Sequence, residues 1–376
     1  MEEAEIVIIG SGVVGLSIAE CISKKIKSII LVEKNISFGQ ETSSHNSEVI
    51  HGGMYYPKNS LKARLCVEGR RLLYKICEDN KIPFRKTGKL IIASCEDEMA
   101  DLNKIMSQGQ ANNVEGLSFL GSSSLKEIEP SVSGIAAILS KETGIIDSHK
   151  LMEYFLDEAK SNGTIVSFNS EVVGIEKISS GYKVAVKNGS DLINLEAKIV
   201  INSAGLDSDL IAAMAGIDIK KNKYELSYCK GEYFRLSNKK SVFMKRLIYP
   251  VPKPKSGGLG IHATLDLSGG VRLGPDDRYL KNRNKDYTVD ISKRFGFYNS
   301  AKKLMPFIEE EDLSADISGI RPKLQYEGGE FRDFVIKEES DSGLRGFINL
   351  IGIESPGLTA SPAIAKHVES MIINKN

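Results

Sequence analysis

Apolar residues along this chain fall into three patterns. Unbroken short runs mark buried strands, spacing of three or four marks packed helices, and runs broken by polar turns mark antiparallel sheet. The chain opens on the first pattern: Ile6, Val7, Ile8 and Ile9 form an apolar run, a helical stretch follows, and a second apolar run ends at Glu33. That order predicts a strand, a helix and a parallel strand. Between Ser60 and Asn80, Leu61, Leu65, Leu72, Leu73 and Ile76 recur at helical spacing, with Lys62, Arg64, Arg70, Arg71 and Lys75 among them. A basic membrane-surface helix would show this pattern, and a core-facing helix with a solvated basic side fits it better.

Further along, Ile82 to Ala93 reads as a strand and Glu96 to Asn112 as a polar surface helix. Asp147 or Ser148 caps a helix whose buried stripe is Leu151, Tyr154, Phe155 and Ala159, with Gly163 as its stop. Val172–Ile178 and Tyr182–Lys187 form a hairpin through Ser179, Ser180 and Gly181. The run from Ala197 ends in Ser203, Ala204 and Gly205, a small-residue terminus suited to lying beside the first unit. From Tyr224 to Leu280 short β-type runs predict an antiparallel sheet that lies over the nucleotide as a lid. A polar helix near Asp290 to Met305 precedes a final helix carrying Ile364, Val368, Met371 and Ile372, with Ser361 as N-cap and Pro362 as its first residue.

The turn of the first unit changes the picture from fold to chemistry. Gly10, Gly12 and Gly15 follow the strand in a G-x-G-x-x-G pattern. The first allows a tight turn, the second lets backbone N–H groups approach a pyrophosphate, and the third lets the helix pack on the strand. Phosphates then meet the positive end of the helix. Glu33, closing the second strand, is placed to accept from ribose hydroxyls and argues against a 2′-phosphate. A dinucleotide follows, with NAD and FAD level at this point.

Composition adds bounds. A chain of 376 residues predicts two domains. A net charge of +1 supplies no field for nucleic acid or an acidic membrane. Five widely spaced cysteines without a C-x-x-C pair read as reduced, cytosolic thiols and no metal centre, with Cys21 in the core of the first helix. No apolar run reaches the ~18 residues of a membrane span, and the chain enters its first strand without a signal peptide. The expectation is a cytoplasmic protein, with peripheral attachment at the inner face of the membrane left open.

Three stretches carry candidate side chains. The polar segment from Asn35 to Ser47 alone reads as a solvated loop. It leads, however, into His51, followed by Gly52 and Gly53, where a bulky planar group can approach the backbone. His262 lies on a short strand among glycines, structural or catalytic. Arg321, biased toward extended geometry by Pro322, projects from a loop or strand end.

Taken together, these residues resemble the D-amino-acid-oxidase superfamily of FAD enzymes. The first unit with Glu33, the Ser203-Ala204-Gly205 strand end, the Gly-Ile-Arg321-Pro322 element and the Gly357-Leu358-Thr359 turn fall in that family's order over nearly the whole chain. The stretch from Ile50 to Gly53 also looks like its counterpart in flavin-linked glycerol-3-phosphate dehydrogenases. More narrowly, His45 to His51, Tyr55 to Pro57, Ser60 to Arg64, Gly88 to Leu90, Lys230 to Arg235 and Ile248 to Pro250 look like the L-2-hydroxyglutarate dehydrogenase/oxidase group. A departure lies at Ile353 to Thr359, where the better-known animal and enteric members of the group carry Ala-Pro-Ser-Pro-Ala-Ala-Thr.

The resemblance implies an α/β (α+β overall) protein: a Rossmann-like FAD-binding domain of glutathione-reductase type from 1–80, 146–220 and 315–376, with an antiparallel substrate domain from 81–145 and 221–314. It implies FAD held by Gly10, Gly12, Val13, Val14, Gly15, Glu33, Lys34, Thr42, Ser43, Ser44, Asn46, Ser47, His51, Gly52, Val172, Ala204, Gly205, Arg321, Gly357, Leu358 and Thr359. The substrate expected is a small carboxylate, oxidised at a 2-hydroxyl. Arg321 would grip its carboxylate. His51 is the first candidate for the base and His262 the second, with Tyr55, Tyr233 and Tyr249 near the hydroxyl. A second cation for a diacid, Lys89, Lys230 or another, stays open. So does the electron acceptor: oxygen, a quinone or a carrier. An amine or amino-acid oxidase, and a flavin-binding protein without turnover, are the alternative readings.

Overall fold

In the computed structural model, which describes residues 2–252 and 258–373, the first apolar run becomes the strand Glu2–Ile9. Ile29–Val32 lies parallel to it on one side and Asp191–Asn202 on the other. Alternation along this strand divides the interior. Ile6 and Ile8 pack with the first and last helices, and Val7 and Ile9 with Tyr182, Val184 and Phe347 on the opposite face. The first sheet has eight strands, completed by the hairpin Ser170–Ile178 and Gly181–Asn188, by Ile165–Ser167, and by Val335–Glu338 and Phe347–Ile351.

The second sheet has nine strands. Ser227–Leu236 and Leu313–Lys323 pair along most of their length, Arg278–Tyr279 also pairs with the former, and the sheet runs on through Val271–Leu273, Ala263–Leu265, Leu247–Pro250, Lys89–Ala93, Ala136–Ser140 and Leu117–Gly121. Lys89–Ala93 runs parallel to Leu247–Pro250, and the remaining pairs are antiparallel. A third, small sheet joins Val49–Ile50 and Phe84–Arg85 to Gly144–Ile146. It fixes the chain just before His51.

Helix Leu61–Asn80 begins under a Ser60 cap whose hydroxyl accepts from Ala63. Its expected all-solvated basic side is only partly so: Lys62 and Arg70 are buried, Lys62 against Glu354 at 2.8 Å and Arg70 against Glu115 at 2.7 Å. Long-range carboxylates, invisible to helical periodicity, turn these two inward. Asp147 caps Ser148–Ser161 by accepting from Lys150, and Tyr154 is only half-buried in its stripe. Cys21 is likewise half-buried rather than core, and it and the other four cysteines are free thiols.

The C-terminal helix differs from expectation at its start. It runs Gly357–Ile373 with Pro362 inside it, so Ser361 is not an N-cap. Proline takes away the donor that would have met the Leu358 carbonyl, and the Ser361 hydroxyl donates to that carbonyl at 2.9 Å instead. The helix thereby gains one turn at its N-terminal end. The boundary expected at residue 315 also falls inside the strand Leu313–Lys323, whose pairing is with the second sheet. Arg321 is therefore carried by the second sheet.

Candidate active site

Two cavities meet at the glycine turn. The larger, about 640 Å³, extends from Gly12, Val13 and Val14 past Ser47 and His51 to Tyr233, Tyr249, His262 and Arg321. The smaller, about 250 Å³, is lined by Gly10, Glu33, Lys34, Val172 and Ala204. Gly12, Thr42, Ser43, Ser203 and Gly205 border both, which makes one elongated space folded around the N-terminus of the first helix.

The turn is closed to any larger residue. Gly10 has a φ of +100°, and a Cβ there would lie 2.7 Å from the Ser203 carbonyl oxygen; at Gly15 a Cβ would lie 2.0 Å from the carbonyl oxygen of Gly10. Gly12 ends in extended geometry with no side chain to cap the helix. Ser43 reaches across from the polar loop, and its Oγ accepts from the Val13 N–H at 3.0 Å. The Glu33 carboxylate accepts from the Ser11 N–H at 2.8 Å and the Asn35 N–H at 2.9 Å, which orients it into the smaller cavity. Beside it Lys34 and Lys285 each pair with Glu41 at 2.8 Å, and both also pair with Asp207. A channel of this length, with a glycine cradle at its waist and a carboxylate at one end, fits an extended dinucleotide.

At the other end the loop Thr42–Ser47 is stitched to the second sheet. Thr42 donates to the Ile320 carbonyl at 3.0 Å, and a Cβ at Gly319 would lie 2.1 Å from the His45 carbonyl oxygen. His45 stacks on Tyr287 with ring centroids 4.0 Å apart. The next residues lead to His51, whose backbone N–H donates to Thr359 Oγ1 at 2.9 Å and whose Nε2 lies 3.3 Å from Ser355 Oγ. His262 faces the same cavity. Its Nδ1 lies 2.7 Å from the Gly260 carbonyl oxygen, an acceptor, so Nδ1 carries the proton and Nε2 is left as an acceptor. Its ring stacks on Tyr249 at 3.7 Å.

Burial, with the nearby Lys89 charge acting in the same direction, pushes both imidazoles down to about 3. Both are neutral at neutral pH. Arg321 is the opposite case. Burial works against its charge, but Cys229, Asp277 and Glu354 outweigh this and raise it above its ordinary value. Its guanidinium donates to the Asp276 carbonyl at 3.0 Å and to Asp277 Oδ1 at 3.1 Å. Glu354 joins the same wall. Burial opposes its ionisation, yet Lys62, Lys323 and Arg321 hold the carboxyl below its ordinary range.

Most of the residues expected to hold FAD or to serve as base, carboxylate grip or hydroxyl contact thus border one of the two cavities, and four do not. Gly15 serves helix–strand packing. The Ser44 hydroxyl donates to the Gly39 carbonyl. Gly52 is buried, where a Cβ would lie 2.6 Å from the Met54 side chain. Thr359 is fully buried, bonded to His51 and Val49. Leu358 does border the larger cavity, in a first helical turn whose N–H groups lack intrahelical partners. Lys230 points elsewhere, to Glu232 at 3.3 Å and Asp286 at 3.4 Å. Sequence reasoning missed His45, Lys62, Lys104, Lys323 and Glu354 in the wall. His45, Lys62 and Glu354 stood in stretches already singled out, with Lys62 assigned to the solvated side of its helix, while Lys104 and Lys323 carried no local signal.

Comparison with known proteins agrees with this geometry. The chain is 37% identical to "L-2-hydroxyglutarate dehydrogenase, mitochondrial" of Arabidopsis thaliana, over 99% of this chain and 84% of that one. It is 32% identical to the protein of the same name from Caenorhabditis elegans, over 99% and 93%. Among solved structures, the dithionite-reduced L-alpha-glycerophosphate oxidase of Mycoplasma pneumoniae with FAD bound superposes with a TM-score of 0.87 at 25% identity, covering 99% of this chain and 95% of that one. Among the described residues no helix is long and apolar enough to cross a membrane. Residues 5–371 match the DAO family, described as FAD dependent oxidoreductase, and the chain belongs to that family.

Proposed function

We propose that this flavoprotein oxidises a small 2-hydroxy acid to the 2-oxo acid, with L-2-hydroxyglutarate as the substrate and 2-oxoglutarate as the product. The observation that carries the reading is one cavity wall holding a charged guanidinium, Arg321, together with two neutral imidazoles, His51 and His262. The names of the relatives narrow the acid.

FAD, when bound, supplies the acceptor for the hydride leaving the substrate Cα. Gly10, Gly12, Val13, Ser43 and Gly205 would hold its pyrophosphate, Glu33 its ribose, and the first turn of the C-terminal helix its ring end, where N–H groups favour negative charge. The protein's own part is positioning and proton transfer. Arg321 binds the carboxylate next to the hydroxyl. His51 takes the hydroxyl proton at Nε2, the substrate hydroxyl replacing Ser355 Oγ, which lies 3.3 Å from that nitrogen. Neutrality suits an imidazole to this, and the anionic substrate raises its basicity on binding. Tyr249 holds His262 flat in the wall, the second group able to accept.

Anaerobic bleaching of the FAD-loaded protein tests this, with L-2-hydroxyglutarate, its D isomer, short 2-hydroxy acids, D-amino acids and glycerol 3-phosphate as the panel. Fast bleaching by the L-hydroxy acid supports the reading. Bleaching only by an amino acid or by glycerol 3-phosphate overturns it. Reoxidation of the bleached protein under air, with a quinone, or with neither identifies the acceptor class. A reduced, cytoplasmic setting with peripheral membrane contact completes the proposal, and cell fractionation tests it.

A further inference from the structure

Among the described residues, the cations around the larger cavity are paired, with one exception. Lys62 meets Glu354 at 2.8 Å, Lys323 meets the same carboxylate at 3.8 Å, Lys104 meets Asp101 at 2.8 Å and Arg321 meets Asp277 at 3.1 Å. Lys89 has no such partner. It is fully buried, and among the described residues its Nζ has neither a hydrogen bond nor an ion pair. Its ammonium lies between two aromatic faces, 4.6 Å from the Tyr55 ring centroid and 4.5 Å from that of Tyr249. Both rings line the cavity.

The root of this side chain is fixed. Lys89 opens a strand paired on one side with Leu247–Pro250 and on the other with Ala136–Ser140, so its backbone cannot shift toward a distant carboxylate. Ring faces favour a cation, but they do not replace a counter-ion or water. Burying an ammonium without a partner is costly, and such a group just behind a cleft wall is a candidate for function. Burial also pushes Lys89 down to about 7, so an arriving anion draws it fully into the charged form. Behind a thin aromatic wall of low polarity, its charge is felt in the cavity with little screening.

We propose that Lys89, acting through the Tyr55–Tyr249 wall, is the specificity-determining cation that selects substrates bearing a second carboxylate. The inference rests on the 2-hydroxy-acid reading above and deepens it: Arg321 takes the carboxylate beside the hydroxyl, and Lys89 favours a far carboxylate over a methyl end. Lys89 does not touch the reacting atoms and is a positioning residue.

The test compares FAD-loaded wild type with Lys89→Met and Lys89→Arg. Glutarate and butyrate, which cannot react, are titrated against the flavin absorbance for dissociation constants. L-2-hydroxyglutarate and L-2-hydroxybutyrate give kcat and KM. Wild type is expected to prefer the dicarboxylate in each pair by tenfold or more. Lys89→Met is expected to bring both ratios near one, mostly through KM, and Lys89→Arg to restore most of the preference. Equal losses for diacid and monoacid, or an unchanged ratio, overturn the proposal. If Lys89→Met does not fold or load FAD, Lys89→Gln takes its place with the same expected and overturning ratios, and a wild type without dicarboxylate preference overturns the proposal by itself. If neither hydroxy acid reacts with wild type, the functional reading fails, while the glutarate and butyrate constants still judge Lys89.

Discussion

The backbone N–H of His51 donates to Thr359 Oγ1 at 2.9 Å, and the same hydroxyl donates to the Val49 carbonyl at 3.2 Å. One buried hydroxyl therefore locks the candidate base to the first turn of the C-terminal helix. Thr359→Val leaves a buried donor and acceptor unmet, a cost of about 1–3 kcal/mol. The expected result is a lower melting temperature and slower bleaching by substrate, with Thr359→Ser close to wild type in both. Differential scanning fluorimetry and stopped-flow absorbance measure the two effects.

Gly69 in helix Leu61–Asn80 faces that same turn. A Cβ there would lie 2.3 Å from the Thr359 carbonyl oxygen and 2.7 Å from the Ala360 Cα. Neither atom belongs to a flexible side chain, so Gly69→Ala must displace a helix start. Weakened FAD retention is expected, read as the fraction of flavin lost on gel filtration. Full retention of FAD would show that the turn tolerates the shift.

Arg321 and the two histidines separate binding from proton transfer. Removing the charge-assisted grip in Arg321→Ala is expected to lower kcat/KM by roughly 10²-fold, about 3 kcal/mol, with the bound-flavin spectrum kept. His51→Asn is expected to lower the bleaching rate by about 10²-fold or more. His262→Asn is expected to cost less, since its ring is more buried and already holds the Gly260 carbonyl. A larger loss at His262 would reverse the assignment of the base.

Burial holds His51 and His262 at about 3 in the folded protein, below the ordinary 6.5. Between those values the unfolded chain binds protons that the folded chain does not. Stability is thus fully present above about 6.5 and is lost as the pH falls toward 3, at up to about 1.4 kcal/mol per pH unit for each ring. Thermal melts at pH 7, 6 and 5 should show the decline, and His262→Gln should make it shallower. A slope unchanged by that substitution would place the proton uptake elsewhere.

The sequence made the first unit readable because its logic is local: an apolar run, a glycine turn that admits no Cβ, and a terminal carboxylate. The polar loop was readable from the residues it led to, His51 and two glycines. Other features depend on partners far along the chain. Lys62 and Glu354 are 292 positions apart, and helical spacing alone assigns Lys62 to water. Pro362 looked like a helix start because Ser-Pro fits an N-cap as well as it fits a helix interior, where the Ser361 hydroxyl donates to the Leu358 carbonyl that proline leaves without a donor. Arg321 was recognisable as a residue type in its setting, but a strand's own pattern does not say which of two sheets it joins. The isolation of Lys89 is the furthest from sequence, because it is defined by what the fold leaves out of reach.

The division of labour between the two sheets has a further consequence. The glycine cradle and Glu33 stand on the first sheet, while Arg321, Tyr249 and Lys89 stand on strands of the second. Changes on Leu247–Pro250 and Lys89–Ala93, away from the Gly319–Ile320 stretch that holds the Thr42–Ser47 loop, can therefore trade one acid for another while the flavin apparatus stays intact. Acquiring a new substrate in this lineage need not pass through an intermediate that has lost its redox centre.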